Sequence, residues 1–233
     1  MAQTLPRLRL DLEFMPSPVP ERPGVLIRDP YRYTEAMVIV PPLLAEGLSF
    51  FDGEQTDLDL LAHLVRLTGQ LVPAELVQKM AGALAGQGFL HTAEFDALKE
   101  SKHRAFREAA VREAVHAGPA YPNEDAGLRQ RLDEYSRDGH EADSAAANLI
   151  GLAAPHVSPE GGWRSYAAAY RCLGSEHAEK TFILLGTSHY GAAEKFGLTR
   201  KPFVTPLGTL EPDLELINGL TEHGGDAVLV EDY

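Results

Sequence analysis

Apolar and polar positions repeat with changing periods along the chain, and each change of period marks an element. Near the amino terminus LRLDLEF alternates apolar with charged residues, the period-two pattern of a half-buried strand. VLIRD and AMVIV, rich in β-branched residues and separated by a turn at Asp29-Pro30, predict two further short strands. The period then lengthens to that of helices. Pro41-Pro42 open a first helix over 42–50, with Leu43, Leu44 and Leu48, and then Phe51, on its apolar side. Thr56 with Asp59 three positions on reads as a capping box for a second helix, whose Leu58, Leu61, Leu64 and Val65 recur at helical spacing until Gly69. Pro73 opens a third, with Leu76, Val77, Met80 and Leu84 inward and Gly86 and Gly88 as the stop. Strands plus three short helices predict a winged-helix-like α+β module.

A charged stretch over 94–115 follows, with Phe95, Leu98, Phe106 and Ala110 on one side, and predicts a connecting helix with a solvated face. Beyond it the pattern is that of α/β folds. Pro122 and Asn123 start a helix with Leu128 and Leu132 inward, and DSAAANLIGLAAPH reads as a strand. Pro155 cannot donate to a ladder and so belongs at the strand end, which delivers His156 to a loop. Gly161 and Gly162 turn the chain back, and a crossover helix over 163–174 carries Tyr166, Ala169, Tyr170 and Leu173 as its stripe. TFILL predicts the second strand and ends in GTSHYG; FVTPLG is an edge segment; Leu214, Ile217 and Leu220 mark another helix; AVLVEDY is a third strand. The resulting division is 1–93 as the first module with its extension, 94–111 as connector and 112–233 as an α/β domain.

Composition narrows the partners. A net charge of −13 with no Lys/Arg stripe among aromatics argues against nucleic acid. Hydrophobic and charged shares of 44% and 24% are ordinary for a globular chain and leave enzyme and adaptor both open. A single cysteine, no signal-peptide pattern at the amino terminus and no apolar run near the roughly 20 residues that span a bilayer point to the cytoplasm.

Candidate chemistry rests on two histidines. One strand-helix-strand unit with parallel strands places His156 and His189 at the same carboxyl sheet edge, where open α/β sheets bind ligands. Neutral imidazole is the commonest metal ligand and a frequent general base. Asp232 at the end of the third strand offers a carboxylate to the same edge, and two histidines with one carboxylate form the facial triad of non-haem iron oxygenases. Ser188 places a hydroxyl beside His189, although neighbours in a loop rarely point as a nucleophile-base pair must. His63, His91, His103, His140, His177 and His223 read as surface residues, and Cys172 as an inert thiol.

Two family resemblances sharpen these expectations. FFDGEQTDLDLLAHLVRLTGQLVPAELVQKMAGALAGQGFL, within 24–90, resembles the PqqD-like module in its Phe-Asp-Gly turn, leucine-rich helix, Thr-Gly break and closing Gly-Phe-Leu. That resemblance implies a peptide bound along a strand edge. HAGPAYPNEDAGLRQRLDEY, LIGLAAPH, ILLGTSHYG and TPLGTLEPD occur in the order found in the Memo family, whose fold looks like the class III extradiol dioxygenases. This second resemblance covers 112–233. It implies that His156 and His189 are the two histidines of a site for iron or copper, with a third ligand from Asp232 or from beyond Tyr233. It also implies a metal-dependent oxidoreductase role, in an AmmeMemoRadiSam-type system with AMMECR-like and radical-SAM partner proteins, or a non-catalytic peptide- or ligand-binding adaptor. VSPEGGWRSY stands after the first histidine where many relatives have a Gly-Tyr pair, so the loop over the site is expected to differ.

Overall fold

A computed structural model describes residues 2–137, 149–189 and 191–233. The chain divides into two compact units, Met1–Phe106 and Arg107–Tyr233.

In the amino-terminal unit β1 (Glu13–Pro16), β2 (Val25–Arg28) and β3 (Met37–Val40) form an antiparallel sheet in that order, with Ile27 opposite both Phe14 and Val38. Gly24 stands just before β2 at φ 148°, where a Cβ would stand 2.1 Å from the Val40 carbonyl oxygen, so a side chain there would push the strands apart. Four helices follow: α1 (Pro42–Ala45), α2 (Asp57–Thr68), α3 (Ala74–Gly86) and α4 (Ala93–Glu108). α2 begins at the expected capping box between Thr56 and Asp59 and ends on left-handed Gly69. Ile27, Leu60, Leu64, Val77, Leu84, Phe89 and Leu90 make the centre of its core. The buried stripe of α2 runs through Leu60 and Leu64, while Leu58 of the expected stripe is exposed. α4 packs on this unit, where Phe95 meets the edge of Tyr33 and the Tyr33 hydroxyl hydrogen-bonds His103 Nε2 at 2.9 Å.

LRLDLEF departs from its expected single strand. Only its end enters β1, and Arg9, a charged position of the alternation, is completely buried. Its guanidinium donates to Asp29, Asp11 and the Gly88 carbonyl and lies over the Phe95 ring, so every polar group it carries inside is matched.

The carboxyl-terminal unit holds α5 (Asp125–Arg137), α6 (Pro159–Tyr170), β4 (Phe196–Leu198), β5 (Phe203–Thr205), β6 (Gly208–Leu210), α7 (Leu214–Gly224) and β7 (Val228–Val230). α5 and α6 pack through stacked Tyr135 and Trp163 with ring centres 5.7 Å apart. β5 and β6 form a hairpin where an edge segment was expected. β4 and β7 pair in parallel with α7 in the crossover between them, so a strand-helix-strand unit exists, over 196–230.

Of the strand expected over DSAAANLIGLAAPH, residues 143–148 lie outside the described residues; over the rest of it, and over TFILL, no strand is formed. Residues 149–155 and 181–188 carry no regular element, and Ile150, Phe182, Ile183, Leu184 and Leu185 are exposed. The physical reason is that a ladder needs a partner on at least one side, and among the described residues none lies alongside either run. The expected turn at Gly161 and Gly162 is also absent; both glycines lie in the first turns of α6, which Ser158 caps by accepting the Gly161 N–H. His177, expected on the surface, is buried, its Nδ1 accepting the Gly174 N–H. His140 lies outside the described residues.

Candidate functional site

His156 and His189 meet although the strands expected to carry them are absent. Their Nε2 atoms stand 2.9 Å apart, with ring centres at 4.9 Å and planes inclined by 44°. The two Nε2 atoms are within hydrogen-bond distance, with donor and acceptor set by the tautomer of each ring.

Local contacts hold both loops. On the His156 side, Pro155 ends the apolar run and Ser158 caps α6 two residues later. Tyr166, about two turns into α6, donates its hydroxyl to the Val157 carbonyl at 2.8 Å and so fastens the main chain beside His156. On the other side Ser188 Oγ accepts the Gly191 N–H at 3.0 Å, which closes the turn around His189. That hydroxyl serves the loop, and the backbone role explains why a serine suits the position without nucleophilic chemistry.

The separation of the nitrogens fits a shared ion. Two imidazole nitrogens each about 2.0–2.1 Å from one metal, at a right angle, lie roughly 3.0 Å apart. Among the described residues no third histidine, cysteine, aspartate or glutamate joins the pair, so Asp232 is not brought to it. Asp232 sits instead beside Gly197 of β4, its Cβ 4.0 Å from where a Gly197 Cβ would be.

The neighbouring Glu231 has its own task at the carboxyl ends of β4 and β7. Its carboxylate accepts the Arg200 N–H at 2.7 Å and the Thr199 hydroxyl at 2.9 Å, and pairs with largely buried Lys201 at 3.0 Å. Burial works against ionisation, but the Arg200 N–H, Lys201 and Thr199 outweigh it and hold the carboxyl below its ordinary value. Lys201 also donates to the Arg107 carbonyl. Glu231 adopts a positive φ of 56°, which turns its main-chain N–H to the Leu198 carbonyl and clamps the parallel pair. Sequence reading passed over Lys201, because a lone lysine after a three-residue strand carries no signal of burial.

A separate cleft of about 810 Å³ lies in the same unit, lined by Tyr121, Leu128, Tyr135, Leu207 and Leu210 among others, with Arg131 and Glu160 as its charged residues.

Comparison with known proteins finds relatives by sequence. The family described as Memo-like protein matches residues 112–228, which include His156, Ser188 and His189 and exclude Asp232. A MEMO1 family protein of Aquifex aeolicus is 30% identical over 196 residues, 84% of this chain and 50% of that one. That match is longer than the carboxyl-terminal unit and so continues into the amino-terminal one. A MEMO1 family protein of Thermus thermophilus is 31% identical over 65% of this chain and 45% of its own length, and one of Methanosarcina barkeri 30% identical over 48% and 40%. The chain thus spans about half the length of the curated relatives it matches. No solved structure matches it. With the family match over residues 112–228 and a relative 30% identical over 84% of this sequence, the chain belongs to the Memo family of Memo-like proteins.

Proposed function

We propose that His156 and His189 are two neutral-nitrogen ligands of one metal ion, iron or copper, in a domain related to the class III extradiol dioxygenases. The observation that carries this reading is the 2.9 Å separation of the two Nε2 atoms on a loop pair exposed to incoming solute. Such an ion supplies Lewis-acid or one-electron chemistry to a substrate held at its open positions. The chain's own part is to present two bare nitrogens, to brace the His156 loop through Tyr166 and Val157, and to close the His189 loop through Ser188 and Gly191. A metal-dependent oxidoreductase role in an AmmeMemoRadiSam-type system, with AMMECR-like and radical-SAM partners in the cytoplasm, is the family-level form of the proposal. Among the described residues no helix is long and apolar enough to cross a membrane.

The test is calorimetric titration of iron(II) and copper(II) into the chain and into His156→Ala and His189→Ala. One ion per chain is expected, with weak affinity because water completes the shell, and either substitution abolishes it. Metal binding unchanged in both variants removes these histidines from any site.

A second reading, a peptide-binding adaptor, draws on the amino-terminal sheet. Its two edges differ: β1 ends in Pro16, with Pro18 close behind, whereas β3 runs from Met37 to Val40 without proline or charge. The β3 edge can accept a peptide strand of the kind that a PqqD-like module takes. Slowed amide exchange confined to β3 on peptide addition, in metal-free protein, supports the adaptor; exchange unaltered by any candidate peptide removes it.

A further inference from the structure

The cleft of about 810 Å³ in the carboxyl-terminal unit has walls that specify a ligand. α5, the first turn of α6, the β5–β6 hairpin and the turn over 118–122 enclose it. Its volume falls within the roughly 300–1,000 Å³ of small-molecule sites. Leu207 and Leu210 line it while 41% and 65% exposed, so an apolar body laid there covers surface that now meets water. Tyr135, stacked on Trp163, adds an aromatic wall. Pro119, Pro122, Pro159 and Pro206 also line the cleft. Proline fixes φ, so these stretches hold their shape before a ligand arrives and lose little freedom when it does. Proline also carries no N–H, and there the walls offer an anion no main-chain donor.

The lining residues include two of opposite charge, and their surroundings differ. Arg131 has Glu134 at 3.7 Å on its own helix and lies 5.9 Å from the centre of the Tyr135 ring. Glu160 has neither an ion pair nor a side-chain hydrogen bond among the described residues. The positive charge is therefore answered within the chain and the negative one is not. A carboxylate bordering apolar surface loses part of its water when a ligand covers that surface, and a cationic donor on the ligand offsets the loss. An apolar acid would meet an arginine that already has a carboxylate beside it and would stand against Glu160. A wholly apolar molecule would take water from Glu160 and return nothing. A net charge of −13 also draws cations toward the chain.

We propose that this cleft binds an apolar amine, with the protonated nitrogen on the Glu160 carboxylate and the hydrocarbon body against Tyr135, Leu207 and Leu210. The site lies near the histidine pair, because Glu160 follows His156 by four residues, no more than about 14 Å of chain. It does not depend on the metal-binding reading, and metal-free protein serves for every titration.

Phenylbutylamine, phenylbutanol and phenylbutyrate have similar bodies and differ in the head group. Each is titrated into the chain and read by the emission of Trp163, the chain's one tryptophan, whose stacking partner Tyr135 lines the cleft. The amine is expected to bind about tenfold more tightly than the alcohol, the lower end of what a charge-assisted hydrogen bond gives, and the acid more weakly than either. Glu160→Gln should bring the amine to the alcohol's affinity and leave the alcohol where it was. Leu210→Ala, at a largely exposed residue, should weaken the amine and the alcohol alike by about threefold or more through lost apolar contact. Far-UV dichroism checks that both variants keep their helix content. Equal affinity for the three probes, or an acid bound as tightly as the amine, overturns the amine as ligand. Amine binding untouched by Glu160→Gln or by Leu210→Ala puts the ligand elsewhere and overturns the cleft as its site.

Discussion

Removing the Arg9 guanidinium should nearly unfold the amino-terminal unit, and the size of the loss follows from its surroundings. All five N–H donors of Arg9 have acceptors: Nε and Nη2 on Asp11, Nη1 and Nη2 on Asp29, and Nη1 on the Gly88 carbonyl, at 3.0 to 3.1 Å. The side chains of Asp29 and Arg9 both have no solvent exposure, and among the described bonds the Asp29 carboxylate otherwise accepts only the Tyr31 and Thr34 main-chain N–H groups. Burial opposes the charge on Arg9, but Asp29 and Asp11 outweigh it and raise the guanidinium's already high pKa. In Arg9→Met the volume stays filled while Asp29 is left as an unpaired buried carboxylate, a defect worth about 3–5 kcal/mol. Whole domains are stable by only about 5–15 kcal/mol. With a urea dependence of about 2 kcal/mol per molar, the midpoint should drop by roughly 2 M. Urea unfolding followed by far-UV circular dichroism, with amide exchange over β2 and α4 to locate the change, measures it. The partner variant Arg9→Met with Asp29→Asn removes the stranded charge and keeps an oxygen for Tyr31 and Thr34, so it should regain about 1–3 kcal/mol. A single-variant loss under about 1 kcal/mol, or a double variant no better than the single, would refute the idea that uncompensated charge is the cost.

Two further outcomes concern the carboxyl-terminal unit. Because the Glu231 carboxyl sits below its ordinary 4.5 when folded, its contribution is present above that value and is lost as pH falls through the lower folded value. Glu231→Gln should therefore lower stability at neutral pH and flatten the acid-induced loss as pH falls below the ordinary carboxyl value of 4.5, read by the fluorescence of Trp163, the chain's one tryptophan; an unchanged acid slope counts against the clamp. Tyr166→Phe keeps the stacking on Tyr170 but frees the Val157 carbonyl, and should weaken metal binding by about 10-fold with helix content unaltered in far-UV dichroism; equal affinity would show that Tyr166 does not position His156.

Much of the amino-terminal unit was legible in the chain because its signals are local. The capping box at Thr56, the proline at the start of α3 and the glycine after α2 act within a few residues, so they read the same in sequence and structure. Arg9 was not legible: alternation assigns a charge to solvent, and only the meeting of Asp29, Gly88 and Phe95 from distant segments makes the interior tolerable for it.

In the carboxyl-terminal unit the two histidines were recognisable from their motifs, and they do meet. Their meeting was expected from two paired strands, yet it arises from loops fastened by Ser158, Tyr166 and Ser188. The helices α5, α6 and α7 could be read from caps and period, whereas Leu132, Leu214 and Leu220, which look inward by spacing, stay exposed because spacing names a face and not what lies opposite it. Sequence by itself determined the helices, the hairpin of β2 and β3, the family and the residues to inspect. Tertiary structure decided which apolar runs become strands, where the parallel pair forms, and that Glu231 locks that pair while Asp232 stays away from the histidines. The division has one cause: a helix satisfies its main chain from within its own sequence, and a strand is a strand only when another segment lies beside it.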